Sequence, residues 1–154
     1  PVGIETELVA SGWRIVPSTF ADAARLLQGW PTLGREIHER TLPQEVRFDE
    51  LGGVKYDKGC YTGQETVARL HFRGHANRAL RAVEWTAPAT AEGAALTVEG
   101  KTVGTLRTVA QLGERHVALA IVRRELVPGD TVMHGADELR LIDFPLDEPP
   151  AAVA

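Results

Sequence analysis

The sequence predicts an α+β fold in which a helical first third precedes a small antiparallel β-barrel. Residues 1–43 carry an apolar stripe with helical spacing. Residues 79–144 instead carry five or six short apolar runs separated by turn residues. That many short strands in so short a stretch is typical of a small closed barrel. The tail from Asp147 onward is acidic and then rich in Pro and Ala, so we expect it to be loose.

The first third predicts one short strand and one helix. Trp13, Ile15 and Val16 form a brief apolar run, which favours a strand. A turn at Pro17 follows, and Ser18 or Thr19 can cap a helix.

The spacing of apolar residues gives this helix one buried stripe. Phe20, Ala23, Ala24 and Leu27 fall at i, i+3, i+4 and i+7. Gly29 is a natural C-terminal stop. One strand and one helix are too small to bury a core alone, so this piece predicts part of a mixed α+β domain.

The strand-rich part begins with Val83 and Trp85, which alternate with polar neighbours. Leu96 and Val98 then lead into a hairpin turn at residues 99–101, and Gly104 in the return strand indicates a bulge.

The second half of the barrel starts with residues 117–122, a continuous apolar run that predicts a buried strand. A turn at residues 128–130 precedes a strand at Val132 and Met133. Alternation of Leu139, Leu141 and Phe144 predicts the last strand.

Charge and cysteine content exclude several classes of protein. The net charge of −4 argues against a general nucleic-acid binder. Residues 55–81 nevertheless carry six basic residues against two acidic ones, a local excess of +4 that suits phosphates, a polyglutamate tail or an acidic partner, or a solvated face. Cys60 is the one cysteine, so an internal disulfide framework is impossible.

We find neither a membrane-spanning segment nor a signal peptide in this sequence. No apolar stretch approaches the roughly 20 residues that cross a bilayer, and no signal-peptide pattern opens the chain. The chain begins at Pro1 rather than Met, and we expect an upstream half to be missing.

The segment around Cys60 carries the candidate chemistry. Thr62 to Glu65 fits a capping box, which predicts a helix starting at Thr62. Cys60 would then lie two residues before the positive end of that helix and close to Lys58, a setting that favours a thiolate. The alternative is a small residue packed in a tight loop, since free cysteine is commonly buried. The five scattered histidines show no metal-ligand spacing, so no metal site is predicted.

A contiguous motif identifies a family. Residues 58–65 read KGCYTGQE, which resembles the K-G-C-Y-x-G-Q-E signature of YgfZ-type proteins, a family that includes mitochondrial iron–sulfur assembly factors. The stretch from Arg25 to Glu36 resembles the family's R-x-E-x-G-x-P-x-x-G-x-E block, and residues 42–45 its L-P-x-E. Residues 72–74 with Arg78 resemble the continuation after the signature.

The resemblance implies a fold and a domain division. It implies the C-terminal part of an aminomethyltransferase-like folate-binding domain at residues 1–47. The signature loop and short helix would span 48–77, the barrel 78–146 and a flexible tail 147–154.

The resemblance also implies site residues. Cys60 would be the reactive thiol, assisted by Lys58 and Tyr61. Five further residues are implied as contacts to tetrahydrofolate: Gly59, Gly63, Gln64, Glu65 and Arg73. One departure bears on the cofactor, because Leu27 stands where relatives place a glutamate that recognises the pterin ring. A carboxylate accepts hydrogen bonds from pterin N–H groups and a leucine cannot.

The function implied is a folate-binding accessory protein for iron–sulfur enzymes, including radical tRNA-modifying enzymes. Its partners would be iron–sulfur proteins or their assembly machinery and tetrahydrofolate, with an indirect link to tRNA and no membrane. The setting would be a bacterial cytoplasm, or a mitochondrial matrix in a eukaryote. The alternatives are a tetrahydrofolate-dependent enzyme, such as the aminomethyltransferase of glycine cleavage, and a barrel that only binds other proteins.

Overall fold

The computed structural model describes residues 3–86 and 90–146 and confirms the predicted α+β class with a closed barrel. Helix α1 spans Ile4–Ala10, α2 spans Ser18–Gln28 and α3 spans Gln64–Arg73, with a 3₁₀ turn at Pro43–Val46. The barrel strands are β1 Arg78–Trp85, β2 Ala95–Val98, β3 Lys101–Leu112, β4 Arg115–Arg123, β5 Thr131–His134 and β6 Asp137–Ile142. The loose tail predicted from residue 147 lies outside the described residues.

The strand predicted at Trp13, Ile15 and Val16 is wrong. These residues follow α1 in an irregular, exposed segment, and 68% of Trp13 is accessible. A strand needs a hydrogen-bonded partner, and residues 13–16 pair with none in the described part of the chain. Helix α1, which the pattern did not predict, buries none of its residues.

Helix α2 ends where it was predicted to end, but its N-cap lies earlier in the chain than predicted. Gly29 adopts a left-handed conformation with φ 66° and ends the helix. Pro17 occupies the N-cap, so Ser18 is the first helical residue rather than the cap. Leu26 and Leu27 are the buried residues of its inner face.

The barrel closes in the order β1-β4-β3-β2-β5-β6, and every strand pair is antiparallel. The predicted hairpin joins β2 to β3 through Glu99 and Gly100, with φ values of 50° and 75°. The register shifts opposite Leu96 and Thr97, which confirms the bulge beside Gly104.

Strand β4 explains the continuous apolar run at residues 117–122. Ala118, Ala120 and Val122 belong to the core cluster shared with β2, β5 and β6. Val117, Leu119 and Ile121 belong to a second cluster with α2 and the 3₁₀ turn. Because both faces of the strand are covered, no polar alternation is needed. This outer face is where the helical segment attaches to the barrel.

Two polar links strengthen the same attachment. Glu36 is 1% exposed, and its carboxylate accepts hydrogen bonds from Arg25 Nη1, Thr32 N and both the backbone and the hydroxyl of Thr108 in β3. Arg47 donates to the carbonyl of Gln28 and lies 4.2 Å from the ring centroid of Phe144. Phe144 was predicted in the last strand, but it lies two residues beyond the end of β6.

No helix in residues 3–86 or 90–146 combines the length and the apolar character that crossing a bilayer requires. The division at residues 47 and 77 stays a prediction.

Candidate functional site

The signature loop runs irregularly from Val54 to Gly63 and ends at α3. Gly63, with φ 86°, is the N-cap, and Gln64 is the first helical residue. The side-chain oxygen of Gln64 accepts a hydrogen bond of 3.3 Å from the backbone N–H of Tyr61. The loop is therefore tied back to the first turn of the helix.

The capping box predicted at Thr62 and Glu65 is wrong. The left-handed turn at Gly63 separates Thr62 from the helix, and no side chain caps the N-terminus of α3. The helix consequently begins two residues later than expected. Because the field of a helix dipole falls off within a turn, it reaches Cys60 more weakly than the sequence predicted.

A cleft of about 400 Å³ lies between the signature loop and α3. It brings together four of the predicted site residues: Lys58, Tyr61, Gln64 and Glu65. Lys55, Tyr56 and Ala68 complete its lining. The cleft thus offers two ammonium groups, two aromatic rings, one amide and one carboxylate.

Cys60 is exposed and lies in the chain between Lys58 and Tyr61. The Lys58 ammonium lies 4.8 Å from the centroid of the Tyr61 ring, a cation–π distance that holds the residues on either side of the cysteine together. The exposure contradicts the alternative of a cysteine packed in a tight loop. Cys60 is accessible to solvent, but it is not among the residues that line the cleft.

Tyr56 anchors the loop to its surroundings. Its hydroxyl donates to Asp49 and accepts a 3.3 Å hydrogen bond from Gln44, whose amide also reaches the carbonyl of Val67 in α3 at 3.0 Å. The Tyr56 ring stacks on His71 with centroids 3.8 Å apart. Partial burial and the hydrogen bond to Asp49 raise the pKa of Tyr56 to about 12.

This anchor was missed by the sequence reasoning. Its members come from three separate segments, so no local spacing joins Asp49, Tyr56 and His71. His71 also has its Nδ1 3.7 Å from the Asp49 carboxylate. The signal in the sequence was an aromatic residue, Tyr56, between two charged residues of the loop, Lys55 and Asp57.

The remaining predicted contacts lie apart from the cleft lining. Gly59 is exposed with open space where a side chain would be, and Gly63 serves as the helix cap. Arg73 ends α3, about 13 Å along the helix axis from Gln64. Leu27 is 4% exposed and packs in the outer core cluster, so it belongs to the hydrophobic core rather than to a ligand site.

Comparison with known proteins agrees with this architecture. Residues 78–144 match the family described as the CAF17 C-terminal beta-barrel domain. A "tRNA-modifying protein YgfZ" from Edwardsiella ictaluri is 33% identical over 131 residues, which are 79% of this chain and 40% of that protein. The chain therefore resembles the YgfZ-type family in sequence. The protein of the same name from Vibrio atlanticus is 41% identical over 61 residues, 40% of this chain and 19% of its own length.

A solved structure shows the same type of fold. The crystal structure of the glycine cleavage system aminomethyltransferase T from Bartonella henselae superposes with a TM-score of 0.66 at 20% sequence identity. That match covers 80% of this chain and 37% of the aminomethyltransferase. The chain therefore shares an aminomethyltransferase-like fold, and it spans at most about 40% of the YgfZ relatives named above.

Proposed function

We propose that the protein is a folate-binding accessory factor that supports the assembly or maintenance of iron–sulfur enzymes, using Cys60 as a reactive thiol. One observation carries this proposal. The single cysteine of the chain is exposed, and it lies in the chain between Lys58 and Tyr61, which contact each other and line the cleft built from the signature segment. Reactive thiols occupy such cationic, accessible places.

Tetrahydrofolate fits the cleft by the chemistry of its lining. Lys55 and Lys58 would hold the carboxylates of the glutamate tail, and Glu65 would accept hydrogen bonds from pterin N–H groups. The rings of Tyr56 and Tyr61 would pack against the flat pterin and benzoyl groups. When bound, the folate supplies a carrier for one-carbon groups. Glu65 would thus take over the contact that Leu27 does not make.

The chain's own residues have distinct parts in this proposal. Cys60 would act as a nucleophile or as a transient ligand to iron of a client protein. Lys58 would assist it as the cation two residues before it in the chain, and Tyr61 would hold Lys58 in place. Tyr56 and Gln64 would in addition position the loop, Tyr56 through hydrogen bonds with Asp49 and Gln44 and Gln64 through the backbone N–H of Tyr61.

The name of the relatives, tRNA-modifying protein, supports a link to tRNA modification. We assign this link to client enzymes, namely radical enzymes that carry iron–sulfur clusters, and place the protein in a bacterial cytoplasm, or in a mitochondrial matrix in a eukaryote. An accessory role without turnover of its own is preferred over a tetrahydrofolate-dependent aminomethyltransferase, since the likeness to that enzyme concerns the fold alone.

A rescue assay tests the proposal. Cells lacking their own YgfZ-type protein receive the parent protein, Cys60→Ser, or the neighbouring control Thr62→Ala at equal protein level. Activity of an iron–sulfur radical tRNA-modifying enzyme is the readout. Rescue by the parent and Thr62→Ala but not by Cys60→Ser is expected. Rescue by all three would remove the thiol from the function, and rescue by none would favour the one-carbon enzyme.

A further inference from the structure

A second cleft, on the barrel rather than at the signature loop, gathers positive charge. It has a volume of about 580 Å³ and is lined by His75, Asn77, Arg78, Arg123, Arg124 and Glu125. Three arginines face one glutamate in a chain whose overall charge is −4. The proposed function does not use this cleft.

The arginines are placed there by the strand register. Arg78 at the start of β1 pairs directly with Arg123 at the end of β4, so both side chains leave the same face of the sheet. The backbone N–H of Arg124 donates to the carbonyl of Asn77 at 3.0 Å, which fixes the third arginine beside them. Like charges in directly opposed positions destabilise a strand pair.

Compensation for these charges within the chain is small. Glu125 reaches Arg123 at 3.6 Å, and both side chains are more than half exposed, so this ion pair is weak. Within residues 3–86 and 90–146, neither Arg78 nor Arg124 has a carboxylate within ion-pair distance. The guanidinium groups of Arg78 and Arg124 therefore have N–H donors available for a ligand.

Arg78 also lines an adjoining cavity of about 150 Å³, to which Arg40 and Arg107 contribute. Glu36 and Glu45 line it as well, but the oxygens of Glu36 already accept four hydrogen bonds. In the part of the chain that the structure describes, the Nε of Arg107 is buried and has no hydrogen-bond partner. The two cavities share Arg78 as a lining residue, so several cationic side chains lie around this arginine.

We propose that the cleft of about 580 Å³, which we call the arginine cleft, binds a ligand with at least two phosphate groups through Arg78, Arg123 and Arg124. The planar guanidinium fork matches two phosphate oxygens at once, which favours arginine for phosphate recognition. The side-chain amide of Asn77 can donate to the body of the ligand and accept from it. The phosphates can come from a free nucleotide or from the backbone of an RNA strand.

Titration of the full chain at low ionic strength with ADP, a short oligouridylate and an oligoglutamate tests this assignment. Binding of ADP or oligouridylate in preference to oligoglutamate is expected. ADP binding as tight as that of oligouridylate identifies a free nucleotide, and tighter oligouridylate binding identifies RNA. Failure of both phosphate ligands to bind, or equal binding of oligoglutamate, would overturn the proposal.

The variants Arg123→Gln and Arg124→Gln locate the site, and Arg140→Gln is the matched control because it removes the same charge from an exposed residue of β6. Each cleft variant should weaken phosphate binding about tenfold, since a charge-assisted hydrogen bond is lost. For an RNA strand, the double variant should also reduce the steepness of the negative slope of log K against log salt by about 1.4. Equal weakening by Arg140→Gln would show that only net charge matters and would refute a site. Unchanged melting temperatures verify that the variants fold.

Discussion

Arg25 and Glu36 form an ion pair of 3.0 Å whose carboxylate is buried where α2 meets β3. Both residues belong to the block that resembles the family pattern upstream of the signature. The structure shows that the Glu36 carboxylate closes the junction between the helical segment and the barrel. Its four hydrogen bonds leave it no free oxygen for a ligand.

Glu36→Gln should lower the free energy of unfolding by about 3–5 kcal/mol, because it leaves the Arg25 charge without its buried partner. The amide would also turn a donor toward the N–H groups of Thr32 or Thr108. Glu39→Gln removes the same charge from an exposed neighbour and should change the stability by less than about 0.5 kcal/mol. Urea unfolding of the three proteins measures this, and equal stability of both variants would contradict the structural role.

Gly104→Ala should destabilise the barrel by about 1–3 kcal/mol or more. An added Cβ would lie 2.6 Å from the carbonyl oxygen of Ile121 and 2.9 Å from the Cα of Val122, and backbone cannot move aside cheaply. Gly59→Ala is the control, since open space surrounds that position. Thermal unfolding should separate the two, and a neutral Gly104→Ala would show that β3 and β4 lie further apart.

Much of the barrel could be predicted from the sequence because its strands are short and its turns have specific chemistry. Residues 117–122 are apolar on both faces, and β4 is indeed covered on both. Glu99 and Gly100 predicted the hairpin because the turn requires positive φ. The strand assigned to Trp13, Ile15 and Val16 failed because apolar residues alone do not provide a pairing partner.

The candidate site was harder to predict, since it depends on contacts between distant segments. KGCYTGQE pointed to the correct loop, but it could not reveal that Tyr56 joins Asp49 and His71. Similarly, Arg78 and Arg123 are 45 positions apart, and only the β1–β4 register brings them together. The predicted start of α3 was two residues early, because Gly63 takes the left-handed conformation that Thr62 does not.

Thr62→Ala should change the stability by less than about 0.5 kcal/mol, because the Thr62 side chain caps nothing. Replacement of a true N-cap threonine by alanine would lower the stability by about 1 kcal/mol. Gln64→Met keeps side-chain length and helix propensity but removes the acceptor for Tyr61 N–H, so it should be the more destabilising change. Chemical unfolding measures which of the two variants is less stable. If Thr62→Ala were the more destabilising change, the capping box predicted at Thr62 would be supported after all.

Cys60 should react with iodoacetamide at neutral pH faster in the folded chain than in denaturant, since it is exposed and follows Lys58 by two residues in the chain. Lys58→Gln should slow the folded-state reaction by about two- to fivefold, as expected for one nearby charge in a solvated site. Lys101→Gln, in the distant β2–β3 hairpin, should not change the rate. Folded-state alkylation that is no faster than in denaturant would argue against an activated thiol.

Tyr56→Phe should lower the stability by about 1 kcal/mol near neutral pH, through loss of the hydrogen bonds with Asp49 and Gln44. The raised pKa of Tyr56 makes this contribution pH-dependent. The folded chain keeps the phenol proton up to about pH 12 and the unfolded chain loses it near 10, so the contribution is complete below pH 10 and disappears as the pH rises through 12.

The difference in unfolding free energy between the parent and Tyr56→Phe should therefore be constant up to about pH 10 and shrink above it. Tyr61→Phe is the control, because it keeps the ring that contacts Lys58. Absorbance titration of the phenols gives a second readout, in which the late phase near pH 12 disappears in Tyr56→Phe. A late phase that survives this substitution would assign the raised pKa to another phenol and remove Tyr56 as the anchor of the loop.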